Sequence, residues 1–322
     1  MALRARQLVA AFPDRFALGI EAAQKVTLPR RAYQRVVACG MGGSALASDL
    51  VNTYFDINPD IVVHRNYGLP NEAISKSLAI VTSHSGNTEE SLSAFEAARA
   101  VRSSVIAITT GGTLAQQAKK FKIPLVLLPN DGPPRYSVAE QIGALFDVLA
   151  RSGVIEDENT GLIAAAAEIA QDVDIEKTAA IIASACVERI PIMYAEAGFE
   201  AIARVWKIKF NESAKMAAFY NVLPEANHNE LEALRTGADR FCYVLLEDQS
   251  AAPRMQKRFA LVADLAKKAG ARVVRVPMRG ANRLEKILHT VWLGDWVSLL
   301  AAEKLGVDPL GIPTIEDFKS RL

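Results

Sequence analysis

SLAIVTSHSGNTEESLSAFEAARA, Ser77 to Ala100, passes from an unbroken apolar run through a cluster of hydroxyls into a helical pattern. The run LAIV does not alternate, as expected of a strand covered on both faces, and LSAFEAARA spaces its apolar residues for a helix. Between them stand Thr82, Ser83, His84, Ser85, Gly86, Asn87 and Thr88. One reading is a helix cap, because Ser, Thr and Asn oxygens satisfy the first free N–H groups of a helix. The other is an anion site, since those N–H groups, the positive end of the helix dipole and several hydroxyls together suit a phosphate. Taken alone, the stretch favours the cap.

The same strand–turn–helix rhythm extends in both directions. RVVACG precedes SALASDLVNTYF, SVIAITT precedes TLAQQAKKF, and DIVVHRN and PLVLLP supply further strands. Apolar runs alternating with helices predict βαβ units around a parallel sheet. A second series, with strands IPIMYAEA, RFCYVLLED and ARVVRVPMRG, follows the polar segment between Gly153 and Thr160. The expectation is two α/β domains in tandem, residues 1–154 and 155–322, each a mainly parallel sheet flanked by helices.

The chain has 322 residues, half of them hydrophobic, enough for two cores. Its 37 Lys and Arg against 36 Asp and Glu leave no global field to attract nucleic acid or an anionic membrane, so anion selectivity has to be local. Cys39, Cys186 and Cys242 lie far apart without CxxC spacing and read as reduced core residues of a cytoplasmic protein. His64, His84, His228 and His289 form no metal-binding pair, and no run approaches the ~18 apolar residues of a membrane span. The basic, apolar start is interrupted by Asp14 and Glu21 and predicts an amphipathic first helix rather than a targeting peptide. Trp292 and Trp296, one helical turn apart, mark a core or interface stripe; His64 and His289 have no evident role.

The first strand ends in ACGMGGSALASDL, placing Gly40, Gly42, Gly43 and Ser44 on the turn into a helix. GxGxxG is incomplete there and no acidic residue ends the next strand, which disfavours a dinucleotide. Ligands of open parallel sheets gather at the carboxyl ends of the strands, where the Gly40–Ser44 and Ser83–Thr88 turns both fall. Hydroxyls and backbone donors with little net positive charge suit a sugar phosphate better than a long polyanion.

GMGGSALASDL and TSHSGNTEESLSAFEAA resemble the two phosphate-side motifs of sugar isomerase (SIS) domains, S-x-S-G-x-T-x-E being the most specific. GFEAIARVWKIKFNESAKMAAFYNVLPEANHNELEAL resembles the active-site segment of bifunctional phosphoglucose/phosphomannose isomerases, and PPRYS and FKSRL extend the similarity over nearly the whole chain. The resemblance turns the opening stretch from a cap into a phosphate site. It implies Gly43, Ser44, Ser83, Ser85 and Thr88 as phosphate ligands and Arg135 as the active-site arginine. It also implies Glu212 as the base between C1 and C2, His228 as the ring-opening group, and Lys319 near the ring oxygen. His84 departs from the family pattern, in which an aromatic such as tyrosine stands between the serines; its ring is expected at the pocket mouth. No metal or organic cofactor is implied. Family members are dimers whose ring-opening histidine enters the neighbour's pocket, so the expected partner is a second copy, with His228 acting in trans.

These residue types fit that chemistry. A 1,2-proton transfer through an enediol needs one carboxylate beside the C1–C2 bond. A fixed cation stabilises the enediolate, and histidine gives and takes protons near neutral pH. Without the resemblance, Glu212 reads more readily as a solvated helix end, Arg135 as an exposed turn and Lys319 as a solvated face, and His228 reads equally as a helix cap. A non-catalytic phosphosugar sensor and the isomerase half of a glutamine-dependent amidotransferase are the competing functions. The first wants a DNA-reading element and the second a glutaminase, and neither is evident in the sequence.

Overall fold

The computed structural model describes residues 2–55, 61–71 and 76–321. Asp60 at the head of DIVVHRN, Met1, and Leu322 of FKSRL lie outside the described residues. The helix α1 (Ala2–Ala10) is followed by α2 (Arg15–Gln24) after a short 3-10 turn. There follow β1 (Arg35–Cys39), α3 (Gly43–Phe55), β2 (Ile61–His64), β3 (Ser77–Ser83), α4 (Glu89–Ala100), β4 (Ser104–Thr109), α5 (Gly112–Lys120), β5 (Leu125–Leu127), α6 (Val138–Arg151) and α7 (Asn159–Ile169). The later part holds α8 (Ile175–Cys186), β6 (Ile190–Glu196), α9 (Glu200–Glu212), β7 (Phe219–Leu223), β8 (Phe241–Glu247), α10 (Pro253–Lys268), β9 (Arg272–Pro277), α11 (Arg283–Leu305) and α12 (Pro313–Ser320). Among the described residues no helix is long and apolar enough to cross a membrane.

Two compact units emerge: Ala11–Glu168, and Met1–Ala10 together with Ile169–Leu322. The division falls after α7's main body, whereas the sequence reading placed it at 154/155. The first ten residues belong with the later unit for a clear reason. Arg6 forks onto the carboxylate of Glu303 (2.7 and 2.6 Å) and also reaches Glu176, while the Trp292 indole donates to the Val9 carbonyl at 2.7 Å.

The earlier unit carries a wholly parallel five-stranded sheet, β2-β1-β3-β4-β5. The unbroken apolar strands cover both faces. Val37, Cys39, Val81 and Ala107 meet Phe95 and Leu114 on one side, while Ala38 and Ile80 meet Leu145 and Leu149 on the other. Each fully buried Leu, Val or Phe stabilises the fold by roughly 1.5–3 kcal/mol. α2 and α6 pack backbone to backbone: a Cβ on Gly19 would lie 1.9 Å from the Glu140 carbonyl oxygen, and one on Gly143 2.1 Å from that of Phe16.

The later unit holds a parallel four-stranded sheet, β7-β6-β8-β9. Its edge strand β7, FYNVL, is half exposed and was not legible as a strand in the sequence. The long α11 is capped at its start, where the Asn282 side chain accepts from the Glu285 N–H, and closed by Gly306 in the left-handed conformation. Trp292 and Trp296 are buried on it, which makes the stripe core. Cys39, Cys186 and Cys242 are free and buried, and burial pushes the Cys39 thiol up to about 12.

Candidate active site

In the order β2-β1-β3-β4-β5 the direction of winding reverses between β1 and β3, which opens a crevice at their carboxyl ends. The two turns flanking it are Gly40–Ser44 and Ser83–Thr88. They are joined directly, because the His84 N–H donates to Ser44 Oγ at 3.0 Å.

The hydroxyls there share one polarity. Ser44 Oγ accepts from the His84 N–H, Ser83 Oγ from the Gly86 N–H at 3.1 Å, and Ser85 Oγ from the Asn87 N–H at 3.2 Å. Ser83 in turn donates to Thr88 Oγ1 at 3.0 Å. With backbone N–H groups filling the acceptor side of each serine oxygen, the hydroxyl protons of Ser44, Ser85 and Thr88 are left to donate, as an anion requires.

The cap reading fails at α4. Thr88 occupies the N-cap position in an extended conformation, yet its side chain makes no cap bond. Asn87 turns the other way, its Oδ1 accepting from the Thr113 N–H and hydroxyl, both at 2.9 Å, and so caps α5. The first-turn N–H groups of α4 therefore remain without a side-chain cap, at the positive end of the helix dipole. Glu89 and Glu90 lie in the same turn, Glu89 engaged by the Tyr67 hydroxyl at 3.1 Å, so an anion's counter-charge has to come from another element.

Arg135 is a cation that the fold brings against the first turn of α3. It lies in the 3-10 turn Pro134–Tyr136 and is wholly buried, not solvent-exposed. Gly43, the first residue of α3, abuts that turn: a Cβ on it would lie 2.9 Å from the Pro134 carbonyl carbon and 3.0 Å from the Arg135 nitrogen. The Ser83–Thr88 turn is clamped as tightly. Gly86 has φ +70°, a Cβ on it would fall 1.9 Å from the Gly111 oxygen, and its carbonyl accepts from the Leu114 N–H at 2.8 Å.

The remaining predicted residues lie in the later unit. Glu212 is the half-buried last residue of α9. One turn earlier, the Lys209 ammonium is buried in an ion pair with Asp295 of α11, which fixes that end of the helix. Lys215 donates to the carbonyls of Glu212 and, at 2.5 Å, Gly311, tying the end of α9 to the segment before α12. His228 ends the 3-10 turn Glu225–His228 and is exposed, and its ring makes no hydrogen bond among the described residues. Its flanks are pinned: Glu230 accepts from the Tyr194 hydroxyl and from Asn221 Nδ2 (2.5 Å), and Asn227 Oδ1 accepts from Arg258 at 3.0 Å. Burial and the bond to Glu230 hold the Tyr194 phenol far above its ordinary pKa, so it stays a donor. Lys319 stands exposed on α12, a helix with no buried residue.

Connectivity separates Glu212 from His228. α9 leaves the carboxyl end of β6 and runs back along the sheet, so Glu212 lies near the amino end of β7, whereas His228 follows its carboxyl end. Five residues of strand put about 16 Å between those ends.

A family model described as "Bacterial phospho-glucose isomerase C-terminal SIS domain" matches residues 175–322. The bifunctional phosphoglucose/phosphomannose isomerase of Caldicellulosiruptor bescii is 30% identical over 96% of each chain. This chain belongs to the bifunctional phosphoglucose/phosphomannose isomerase family. The Thermoplasma volcanium isomerase of the same name is 32% identical over 90% of this chain and 92% of its own. Among solved structures, a hypothetical protein from Thermus thermophilus superposes with a TM-score of 0.77 at 15% identity, covering 98% of this chain and 92% of that one, a likeness of fold.

Within the isomerase family pattern, His84 is corrected by the structure. Its ring is not at a pocket mouth: it is 8% exposed, with Nε2 3.0 Å from the Gly132 carbonyl oxygen. Sequence reasoning also missed the supports of these candidate residues. Asn87 and Thr113 lock the phosphate-side turn, Lys209 and Lys215 hold Glu212, and Arg15 pairs with Asp131 and Glu140 beneath the Arg135 turn. GGT at 111–113 was the available signal for the first; the others pair residues distant in sequence.

Proposed function

We propose that the chain is an aldose–ketose isomerase that interconverts glucose 6-phosphate and fructose 6-phosphate, and mannose 6-phosphate as well. The observation that carries this reading, beside family membership, is the set of hydroxyls at the β1/β3 switch point, those of Ser44 and Ser85 oriented as donors by backbone N–H groups and that of Thr88 by the Ser83 hydroxyl. Gly43, Ser44, Ser83, Ser85 and Thr88 take the phosphate. His228 opens the ring by moving a proton between O1 and the ring oxygen, with Lys319 close to that oxygen. The Glu212 carboxylate removes the proton from C2 of the open-chain aldose and returns it to C1, by way of a cis-enediol. Arg135 offsets the charge on the enediolate oxygen. Rotation of the enediol before the proton returns to C2 yields the mannose epimer.

We assign His228 to a second copy's substrate. A group at each end of β7 cannot reach adjacent carbons of one sugar, so the separation of Glu212 from His228 supports a homodimer whose two equivalent sites each draw His228 from the neighbour. Three free, buried cysteines, with Cys186 and Cys242 bringing their sulfurs to 3.7 Å without a bridge, support a reducing, cytoplasmic setting. The deciding experiment mixes purified protein with fructose 6-phosphate in the presence of EDTA and follows both aldoses by NMR. Glucose 6-phosphate and mannose 6-phosphate should accumulate. Binding without turnover would leave the phosphosugar sensor.

A further inference from the structure

The Arg135 turn is held from two sides. On one side Arg15, the first residue of α2, forks onto both oxygens of Asp131 (2.9 and 2.6 Å) and pairs with the buried carboxylate of Glu140 in α6. On the other, His84 Nε2 meets the carbonyl oxygen of Gly132 at 3.0 Å. A carbonyl only accepts, so Nε2 carries the proton. The main chain of His84 completes the junction: its N–H donates to Ser44 Oγ (3.0 Å), and its carbonyl accepts from the Thr110 N–H (3.1 Å) and hydroxyl (2.7 Å). One residue thereby joins the β3 turn, the first turn of α3, the loop after β4 and the segment leading to Arg135.

That segment reads Asp131-Gly132-Pro133-Pro134-Arg135. The two prolines have no N–H to donate and their φ is fixed, so a displacement at Gly132 is passed on to Arg135 and not absorbed between them. Resting on the isomerase reading above, we propose that His84 is a positioning residue: its Nε2–H···O bond to Gly132 keeps the Arg135 turn in register with the phosphate hydroxyls. Burial lowers the pKa of His84 and the Gly132 bond works against that shift; Asp131 and Arg15 are the charged groups beside the ring. The neutral ring keeps a single N–H, and the Gly132 bond uses it.

The test compares His84→Asn, whose amide is too short to reach Gly132, His84→Phe, which keeps a ring but no donor, and His84→Gln, whose amide N–H restores one. With fructose 6-phosphate as substrate, kcat of His84→Asn and His84→Phe should fall at least tenfold, while KM and the inhibition constant of inorganic phosphate stay within threefold of wild type. His84→Gln should return kcat to within threefold. In an Arg135→Met background, His84→Asn should lower kcat by less than a further threefold, because the group it positions is gone. A loss confined to thermal stability, a change in KM alone, or an additive effect with Arg135→Met would overturn the proposal. Should His84→Phe fail to fold, His84→Asn carries the comparison. If wild type does not turn over, the isomerase reading falls and the latch is read by amide hydrogen exchange at Tyr136 and Ser137. That exchange should quicken at least tenfold in His84→Asn and recover in His84→Gln, and unchanged exchange would refute the latch.

Discussion

Gly86→Ala tests whether the Ser83–Thr88 turn is the anion site and whether its shape is preset. An alanine at φ +70° costs about 1–2 kcal/mol in backbone strain. The larger effect is steric. The new Cβ would stand 1.9 Å from the Gly111 oxygen, and real contacts do not fall below 3.0 Å, so the turn or its neighbour has to move by about 1.1 Å. Hydrogen bonds do not survive such a shift, and Ser85 and Thr88 lie within two residues of the change. Losing two hydrogen bonds to a charged group, at about 1.5–3 kcal/mol each, weakens phosphate binding by roughly 10²- to 10⁴-fold. Gly68→Ala is the control, since Gly68 also has positive φ (+65°) but nothing within 4 Å of an added Cβ. It should cost stability alone. Calorimetric titration with inorganic phosphate, with far-UV circular dichroism to verify folding, decides the matter. Phosphate affinity within threefold of wild type in folded Gly86→Ala would refute the reasoning.

Glu212→Gln should lower proton transfer by about 10²- to 10⁴-fold while leaving substrate binding nearly unchanged; in D₂O, deuterium should enter C1 of fructose 6-phosphate with wild type and hardly at all with the variant. Mixing inactive Glu212→Gln with inactive His228→Ala protein should restore activity, because one site of each mixed dimer holds both wild-type groups, and no recovery after subunit exchange would argue against action in trans. Asp295→Ala should destabilise the chain by about 3–5 kcal/mol, because it removes the carboxylate that pairs with the buried Lys209 ammonium. The double change Lys209→Met with Asp295→Leu should regain most of that loss in chemical denaturation, and a single variant within about 1 kcal/mol of wild type would count against the pair.

The order of amino acids was enough to locate the largely buried strands with apolar runs, from RVVAC to FCYVLLE, because near-complete burial leaves few polar residues to blur the pattern. It placed the hydroxyl-rich turn at a strand end and, through residues close together along the chain, supplied the motif around Ser83 and Thr88. β7 escaped it because a half-exposed edge strand lacks both the unbroken run and a clean alternation. Rejecting the cap reading needed the packed chain: Thr88 leaves α4 without a side-chain cap while Asn87 caps α5, an arrangement set by the approach of Thr113 from another turn. Packing also buried Arg135, which its polar, proline-rich turn taken alone would leave exposed, and moved His84 from a pocket mouth to the Gly132 carbonyl. The separation of Glu212 from His228 belongs with these, since sixteen residues of sequence look close until α9 and β7 carry them to opposite ends of a strand. In each case the deciding partner is distant in sequence, and only the packed chain brings it within the few ångströms over which hydrogen bonds and contacts act.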